Sequence, residues 1–192
     1  MAKYLNAGCG THYAKGWVNT DVWEDELTKP DVVVKPGEPY PFGDNTFDAV
    51  YMGHVLEHIS WSEVPAFLEE IKRISKPGAR LLIVGPDVLK TIDRWAKKQE
   101  PWDMVLSVME HQDINTQPGR EHHWWDGATH HWNCHHERVW NLLTACGLKN
   151  VEDMYEQIPN NALGTSWHDK ENNITWPVVG KYYWQFAIAC TN

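Results

Sequence analysis

The sequence predicts a single α/β domain built on a mostly parallel β-sheet, and three observations lead to this prediction. The nearly all-apolar run at residues 47–52 is typical of a strand buried on both faces, as in a parallel sheet. An amphipathic helix and then a second apolar run, residues 81–84, follow it, and this order gives parallel neighbours with a right-handed connection. A length of 192 residues fits one domain with a sizeable core.

The elements before residue 87 are predicted from short apolar runs and from the turns between them. The predicted strands are residues 4–7, 16–22, 31–34, 47–52 and 81–84. The helix between the last two strands carries apolar residues at helical spacing: Val64, Phe67, Leu68 and Ile71. It is expected to end at Lys76-Pro77-Gly78.

The second half predicts three helices, two strands and a His- and Trp-rich segment. Two helices, residues 88–98 and 102–110, follow the fifth strand, and a third begins near residue 135 and ends at Gly147. The His- and Trp-rich segment, residues 111–136, lies between them. The predicted strands are residues 151–155 and 182–189, and the polar stretch 159–177 is expected to be a loop.

The turn that ends the first strand has the composition of a ligand-binding loop. Gly8 and Gly10 allow backbone and ligand to approach where a Cβ would clash. Asp21 ends the next strand, and an acid in this position can accept both hydroxyls of a ribose. The connection is too short for a full helix, which argues against a dinucleotide because its pyrophosphate needs a helix N-terminus. A nucleoside ligand without phosphates is predicted, and a plain turn is the alternative.

Composition limits the classes of partner. The net charge of -9 shows no basic face for a nucleic acid, and no apolar run has the length of a membrane span. No signal peptide is expected, and four scattered cysteines favour a reducing cytoplasm. Twelve tryptophans are more than a core of this size requires and predict aromatic walls around a ligand.

Five motifs occur in a fixed order: residues 5–10 (LNAGCG), 16–21 (GWVNTD), 40–48 (YPFGDNTFD), 54–58 (HVLEH) and 74–81 (ISKPGARL). With these motifs the chain resembles a class I S-adenosylmethionine-dependent methyltransferase, most of all the small type 11-like branch. The resemblance implies a Rossmann-like, seven-stranded, mostly parallel sheet whose last strand is antiparallel. One domain over residues 1–192 is predicted from the chain length. Residues 88–134, which leave the carboxyl end of the fifth strand, are predicted to form a helical, His/Trp-rich lid or substrate-binding insertion.

The resemblance implies S-adenosyl-L-methionine as the cofactor and assigns residues to it. The implied cofactor-binding residues are Asn6, Ala7, Gly8, Cys9, Gly10, Asp21, Val22, Pro36, Gly37 and His54. The glycine turn would line the methionine end, Asp21 would hold the ribose hydroxyls and Val22 would flank the adenine. Asn6 stands where the family has an acid, so it brings no charge toward the cofactor's ammonium group. Lys35-Pro36-Gly37 stands where the family offers an acidic or small polar residue.

Three histidines are candidates for the catalytic group: His54, His130 and His131. His54 comes first because it ends the fourth strand, where the transferred methyl group would lie. The candidates for contact with the acceptor are Glu57, Asp87, Trp124 and Trp125. For Glu57 a structural hydrogen bond is the alternative, and a structural role is favoured for His58.

Residues 122–137 contain His, Cys and Asp, which are all metal ligands, but they show no recognised ligand spacing. No metal is therefore predicted. A lid whose rings stack on a sugar or heteroaromatic acceptor is favoured, and a loop packed on the sheet is the alternative.

The predicted function is methyl transfer by in-line displacement to a small-molecule acceptor such as a sugar, a nucleotide-sugar or another metabolite. The alternative is a binding or scaffolding protein of the same fold without catalysis, which Asn6 and the region of Lys35 suggest. A macromolecular acceptor is the weakest option, because the chain is acidic.

Overall fold

The computed structural model describes residues 2–110, 130–159, 166–177 and 181–192. The strands are β1 Tyr4–Ala7, β2 Val18–Asp21, β3 Val32–Val33, β4 Phe47–Gly53, β5 Ser75–Pro86, β6 Lys149–Asp153, β7 Trp167–Asp169, β8 Ile174–Trp176 and β9 Gln185–Thr191. The helices are α1 Val64–Ile74, α2 Val88–Ala96, α3 Trp102–Glu110 and α4 His136–Ala145. Single turns of 3-10 helix span Leu56–His58 and Tyr155–Gln157. None of the helices in the described ranges has both the length and the apolar character of a membrane span.

Among the described residues the main sheet has seven strands, in the order β3-β2-β1-β4-β5-β9-β6. Strands β1 to β5 are parallel to one another, and β9 runs antiparallel to both β5 and β6. The predicted fold, a mostly parallel sheet with an antiparallel last strand, is confirmed. Since β9 runs in the opposite direction, its first residues lie at the edge where the parallel strands end.

Both faces of the sheet are buried, which explains the continuous apolar runs of β4 and β5. On one face Val50 and Leu81 belong to the core cluster that also contains α1 and α4. On the other face Leu82 packs in a second cluster with Trp17 and Trp176. The two tryptophan rings lie 5.6 Å apart, so part of the tryptophan content serves the core rather than a ligand site.

The prediction of a loop over residues 159–177 is wrong in part. Strands β7 and β8 pair there as an antiparallel hairpin, in which Trp167 stands opposite Trp176 and His168 opposite Thr175. Trp176 is 1% exposed, so burial of its ring against the sheet holds the hairpin in place. Three-residue strands among polar residues carry too short an alternation to be recognised from sequence.

Candidate functional site

The carboxyl ends of β1, β2 and β4 meet at one edge of the main sheet. Ala7, the last residue of β1, pairs with Thr20 of β2 and with Met52 of β4. The glycine turn after β1, Asp21 at the end of β2 and Gly53 at the end of β4 therefore lie at the same level in three adjacent strands. In open α/β sheets this edge forms the ligand crevice.

Glycine occurs at the two positions of the turn for different structural reasons. Both are in the left-handed region, with φ of +65° at Gly8 and +50° at Gly10. A Cβ on Gly8 would lie 2.5 Å from Cγ2 of Val55, whereas a Cβ on Gly10 would meet nothing within 4 Å. Packing against the segment after β4 thus demands a glycine at position 8, while position 10 faces open space.

Asp21 binds the glycine turn to β2. Its Oδ2 accepts the Gly10 amide at 2.7 Å, and its Oδ1 accepts the amide of Trp23 at 3.2 Å. The adjacent Cys9 is 3% exposed, and burial together with the negative charge of Asp21 raises the pKa of its thiol to about 11. The thiol is therefore protonated, and Cys9 lines the turn as a neutral group.

The side-chain amide of Asn6 donates hydrogen bonds to groups in the protein interior. It is 2% exposed, and its Nδ2 lies 3.0 Å from both the His12 carbonyl oxygen and Oδ1 of Asn19. Asn19 is fully buried and in turn accepts the Ala14 amide at 2.7 Å and donates to Oδ2 of Asp31 at 3.0 Å. These two amides hold the helix-free connection between β1 and β2, as the short spacing predicted.

The remaining candidates for the adenine end lie at the carboxyl ends of β2 and β3. Val22 is 49% exposed directly after β2, and Pro36 and Gly37 form an exposed turn after β3, with φ of +75° at Gly37. Ala7 is fully buried, so it can offer only its backbone to a ligand.

His54 stands at the end of β4 with both ring nitrogens engaged. Its Nδ1 lies 3.0 Å from Oε1 of Glu57, and its Nε2 lies 2.6 Å from Nε2 of Gln185. Gln185 Oε1 accepts the amide of Tyr182 at 3.0 Å, which turns the Gln185 NH₂ group toward the imidazole. This network assigns the tautomer: Gln185 donates to His54 Nε2, and the hydrogen on Nδ1 is donated to Glu57.

His54 also adopts an uncommon backbone conformation, with φ of +57°, and its amide donates to the Val84 carbonyl oxygen at 2.8 Å. Its ring meets Trp184 edge to face, with centroids 5.6 Å apart. The side chain is 32% exposed, so the ring borders both the sheet and the crevice. A non-glycine residue in this region is held there by its surroundings, which fix the direction of the ring.

Glu57 is a buried carboxylate, 1% exposed, in the 3-10 turn after β4. Burial by itself raises the pKa of Glu57. The hydrogen bond from His54 and the charges of His54, His58 and His130 outweigh burial and bring the pKa below its ordinary value. Glu57 is thus ionised at neutral pH, and its Oε1 forms a direct hydrogen bond with His54.

His130 lies close to this turn, whereas His131 is exposed. The Nδ1 of His130 donates to the Val108 carbonyl oxygen at 2.8 Å, and its ring centroid is 5.0 Å from that of His58. The backbone amide of His131 donates to the Glu57 carbonyl oxygen at 2.8 Å. The structure therefore brings His54, Glu57, His58 and His130 together through the chain segment after residue 129.

Asp87 has a helix-capping position. It is 4% exposed, and its Oδ1 accepts the Lys90 amide at 3.4 Å at the start of α2. Trp124 and Trp125, the other two predicted acceptor contacts, lie outside the described residues.

Two residues of this edge were missed by the sequence prediction. Gln185 binds His54, and Asn19 organises the glycine turn; both are polar strand residues that are at most 4% exposed. A buried polar side chain in a strand must be hydrogen-bonded, so the polar residue between the aromatic residues 182–184 and the apolar run of β9 was an available signal for Gln185. The mostly polar strand β2 gave no such signal for Asn19.

The glycine turn, the acid after the next strand and the seven-stranded order together define the class I methyltransferase fold. A family model described as "Methyltransferase domain" matches residues 5–83. The resemblance to class I S-adenosylmethionine-dependent methyltransferases is confirmed over this part of the chain, and the fold is that of the class.

The matched proteins share a short sequence segment or the fold. The chain is 45% identical to the uncharacterized protein YafE of Escherichia coli (strain K12) over 47 residues, which are 24% of this chain and 22% of YafE. It is similar in fold to a methyltransferase of Thermotoga maritima described as a possible histamine N-methyltransferase (TM-score 0.56, 15% identity, 100% of this chain and 82% of that chain). It is also similar to the Burkholderia thailandensis 1,6-didemethyltoxoflavin-N1-methyltransferase, whose structure holds 1,6-didemethyltoxoflavin and S-adenosylhomocysteine (TM-score 0.52, 13% identity, 100% and 71%).

Proposed function

We propose that the protein transfers the methyl group of S-adenosylmethionine to a small-molecule acceptor such as a sugar, a nucleotide-sugar or another metabolite. The observation that supports this most is the arrangement of the open glycine turn, Asp21 and His54 along one sheet edge. The cofactor supplies an electrophilic sulfonium methyl group, so the protein has mainly to align a nucleophile with it. The toxoflavin methyltransferase, similar in fold, acts on a small molecule, and the net charge of -9 disfavours a nucleic acid.

Under this proposal the backbone from Gly8 to Gly10 holds the methionine end, and Asp21 accepts the ribose hydroxyls. Both Asp21 oxygens already accept one backbone amide each, but a carboxylate has about four acceptor positions and retains capacity for two hydroxyls. Val22, Pro36 and Gly37 surround the adenine end. Residues 88–134 form the acceptor-binding insertion, because α2 starts directly at the carboxyl end of β5.

His54 is proposed as the group that orients the acceptor or removes its proton. The lone pair on Nε2 is occupied by the Gln185 amide, so the acceptor must displace this amide before His54 can take a proton. Glu57 would then stabilise the imidazolium through the 3.0 Å contact with Nδ1. The lowered pKa of Glu57 fits this role, since a carboxylate that stays ionised is required.

The test is the His54→Gln variant, in which an amide can still donate to the buried Glu57. A mass-detected acceptor screen first identifies a substrate by its methyl gain, and kcat is then compared between the two proteins. Loss of a positioned base lowers kcat by about 100- to 10,000-fold. Binding of S-adenosylhomocysteine, measured by calorimetry, stays close to wild type. An unchanged kcat would remove His54 from the reaction.

A protein that binds the cofactor without catalysis is the second candidate, and the same screen separates the two. Cofactor binding without methyl gain on any acceptor class would favour it. A cytoplasmic location stays a prediction, supported by the free state of all four cysteines.

A further inference from the structure

Three side chains that can ligate a metal ion converge beside the candidate site. Glu57 and His58 come from the 3-10 turn after β4, and His130 comes from the segment that precedes α4. Each offers one ligand atom, and these atoms all lie within 4.8 Å of one another. Two of the three residues lie outside the His-rich stretch, which explains why ligand spacing within that stretch predicted no metal.

One oxygen of the Glu57 carboxylate can accept a further ligand. Oε1 is bound by His54, whereas Oε2 is buried and has no hydrogen-bond partner among the described residues. A buried acceptor of this kind normally finds a partner, and a charged one requires it most. A cation at this position would supply that partner.

The orientation of His130 suits a metal ligand. Its Nδ1 carries the hydrogen, because it lies 2.8 Å from the Val108 carbonyl oxygen, so Nε2 carries the lone pair. Histidines that bind metals usually donate their other ring nitrogen to a carbonyl or carboxylate in this way.

We propose that Glu57, His58 and His130 bind one divalent transition-metal ion, for which zinc is the reference ion. Two imidazoles and a carboxylate, with a fourth position open, are a ligand set that zinc uses in catalytic sites. With bonds of about 2.0–2.2 Å and tetrahedral geometry, neighbouring ligand atoms stand roughly 3.4 Å apart, so small side-chain rotations bring the three atoms into range.

The ion would be linked to His54 through the two oxygens of one carboxylate. Metal at Oε2 withdraws charge from Oε1 and weakens the acceptor that faces His54 Nδ1. The site can therefore modulate the imidazole at the crevice. The proposal itself does not depend on methyl transfer, because it is tested by metal binding alone.

The experiment is a zinc titration of the metal-free full chain by calorimetry, repeated with Glu57→Gln, His58→Ala and His130→Ala. His131→Ala is the matched control: it removes an imidazole from the next residue, which is exposed. We expect one zinc ion per chain and wild-type affinity in His131→Ala. In the three ligand variants the affinity for zinc should fall at least about 100-fold, because loss of a ligand exceeds the 10- to 100-fold effect of losing an outer partner. No zinc binding, or binding equally tight in all variants, would overturn the proposal.

A second measurement requires no variant, in case the substitutions prevent folding. X-ray absorption of the zinc complex of the wild-type chain should show two imidazole nitrogens and a carboxylate oxygen. A first shell that contains sulfur, or imidazoles alone, would place the ion elsewhere and overturn the proposal as well.

Discussion

Alanine substitutions at Gly8 and Gly10 separate the packing demand of the glycine turn from its contact with a ligand. Both positions have positive φ, which costs a residue with a Cβ about 1–2 kcal/mol. Only at Gly8 does the new methyl group meet an obstacle, Cγ2 of Val55 at 2.5 Å. Valine is stiff about χ1 and packs against the core cluster, so it cannot simply rotate away.

The expected stabilities therefore differ. Gly8→Ala adds an overpacking cost of about 1–3 kcal/mol to the backbone cost, which together lower the free energy of unfolding by about 2–5 kcal/mol. For a chain of this size that is a fall in melting temperature of roughly 4–20 °C. Gly10→Ala carries the backbone cost alone, about 1–2 kcal/mol.

The two substitutions should affect ligand binding differently from stability. If the cofactor lies against the open side of the turn, the Gly10→Ala methyl group occupies its space and weakens binding of S-adenosylhomocysteine at least tenfold, or about 1.4 kcal/mol. The assays are denaturant unfolding without ligand and calorimetric titration at a temperature where both variants are folded. Equal destabilisation of the two variants would refute the packing argument, and wild-type affinity in Gly10→Ala would refute the contact with the cofactor.

Two further predictions concern charged groups. Asp21→Ala should weaken S-adenosylhomocysteine binding by about 1–3 kcal/mol in calorimetry, and unchanged affinity would remove Asp21 from the site. Glu70 accepts hydrogen bonds from Arg73 Nε at 2.8 Å and from the Tyr40 amide at 2.7 Å, and the Arg73 bond holds the pKa of Glu70 below 4.5. A carboxyl with a lowered folded pKa stabilises above its unfolded value and loses this effect as pH falls through the folded value. Glu70→Gln should therefore lower the free energy of unfolding at pH 7 but flatten its decline below pH 4.5, as urea unfolding at several pH values will show.

The parallel half of the fold was predictable because local and tertiary demands coincide there. Strands buried on both faces have to be apolar throughout, and β4 and β5 show such runs at residues 47–52 and 81–84. The 3.6-residue period marked α1, and Gly147, with φ of +77°, ended α4 as predicted. The hairpin of β7 and β8 was missed because its stability comes from burial of Trp176 against Trp17, which is distant in sequence.

The site was predictable where it rests on one strand end and not where it rests on a meeting of distant segments. The turn at Gly8 and the acid at Asp21 could be placed from strand order alone. Gln185 could not, because its contact with His54 requires the reversed direction of β9, and the two residues are 131 positions apart. The convergence of His130 on Glu57 depends likewise on the path of the chain after α3.

The role of Asn6 bears on the alternative of a protein without catalysis. That alternative was suggested mainly by Asn6, which stands where the family has an acid. The amide uses both hydrogens of Nδ2, toward the His12 carbonyl oxygen and Oδ1 of Asn19, each at 3.0 Å. Asn6→Asp would place a buried carboxylate against both acceptors; the His12 carbonyl oxygen would lose the Asn6 donor, whereas Oδ1 of Asn19 would keep the Ala14 amide. We therefore expect a loss of at least about 1–3 kcal/mol, the cost of one buried acceptor without its donor. Asn150→Asp, at an exposed asparagine that donates to Thr191, is the control and should cost less than about 1 kcal/mol.

The same variant pair gives a functional answer through calorimetry with S-adenosylhomocysteine. Because Asn6 anchors the connection that carries Gly8 and Gly10, Asn6→Asp should weaken cofactor binding along with stability. In that case the asparagine is a structural requirement of this helix-free turn, and its presence says nothing against catalysis. Tighter cofactor binding in Asn6→Asp at undiminished stability would instead mean that the asparagine weakens the cofactor site. That result would contradict a structural requirement for Asn6 and would favour the non-catalytic alternative.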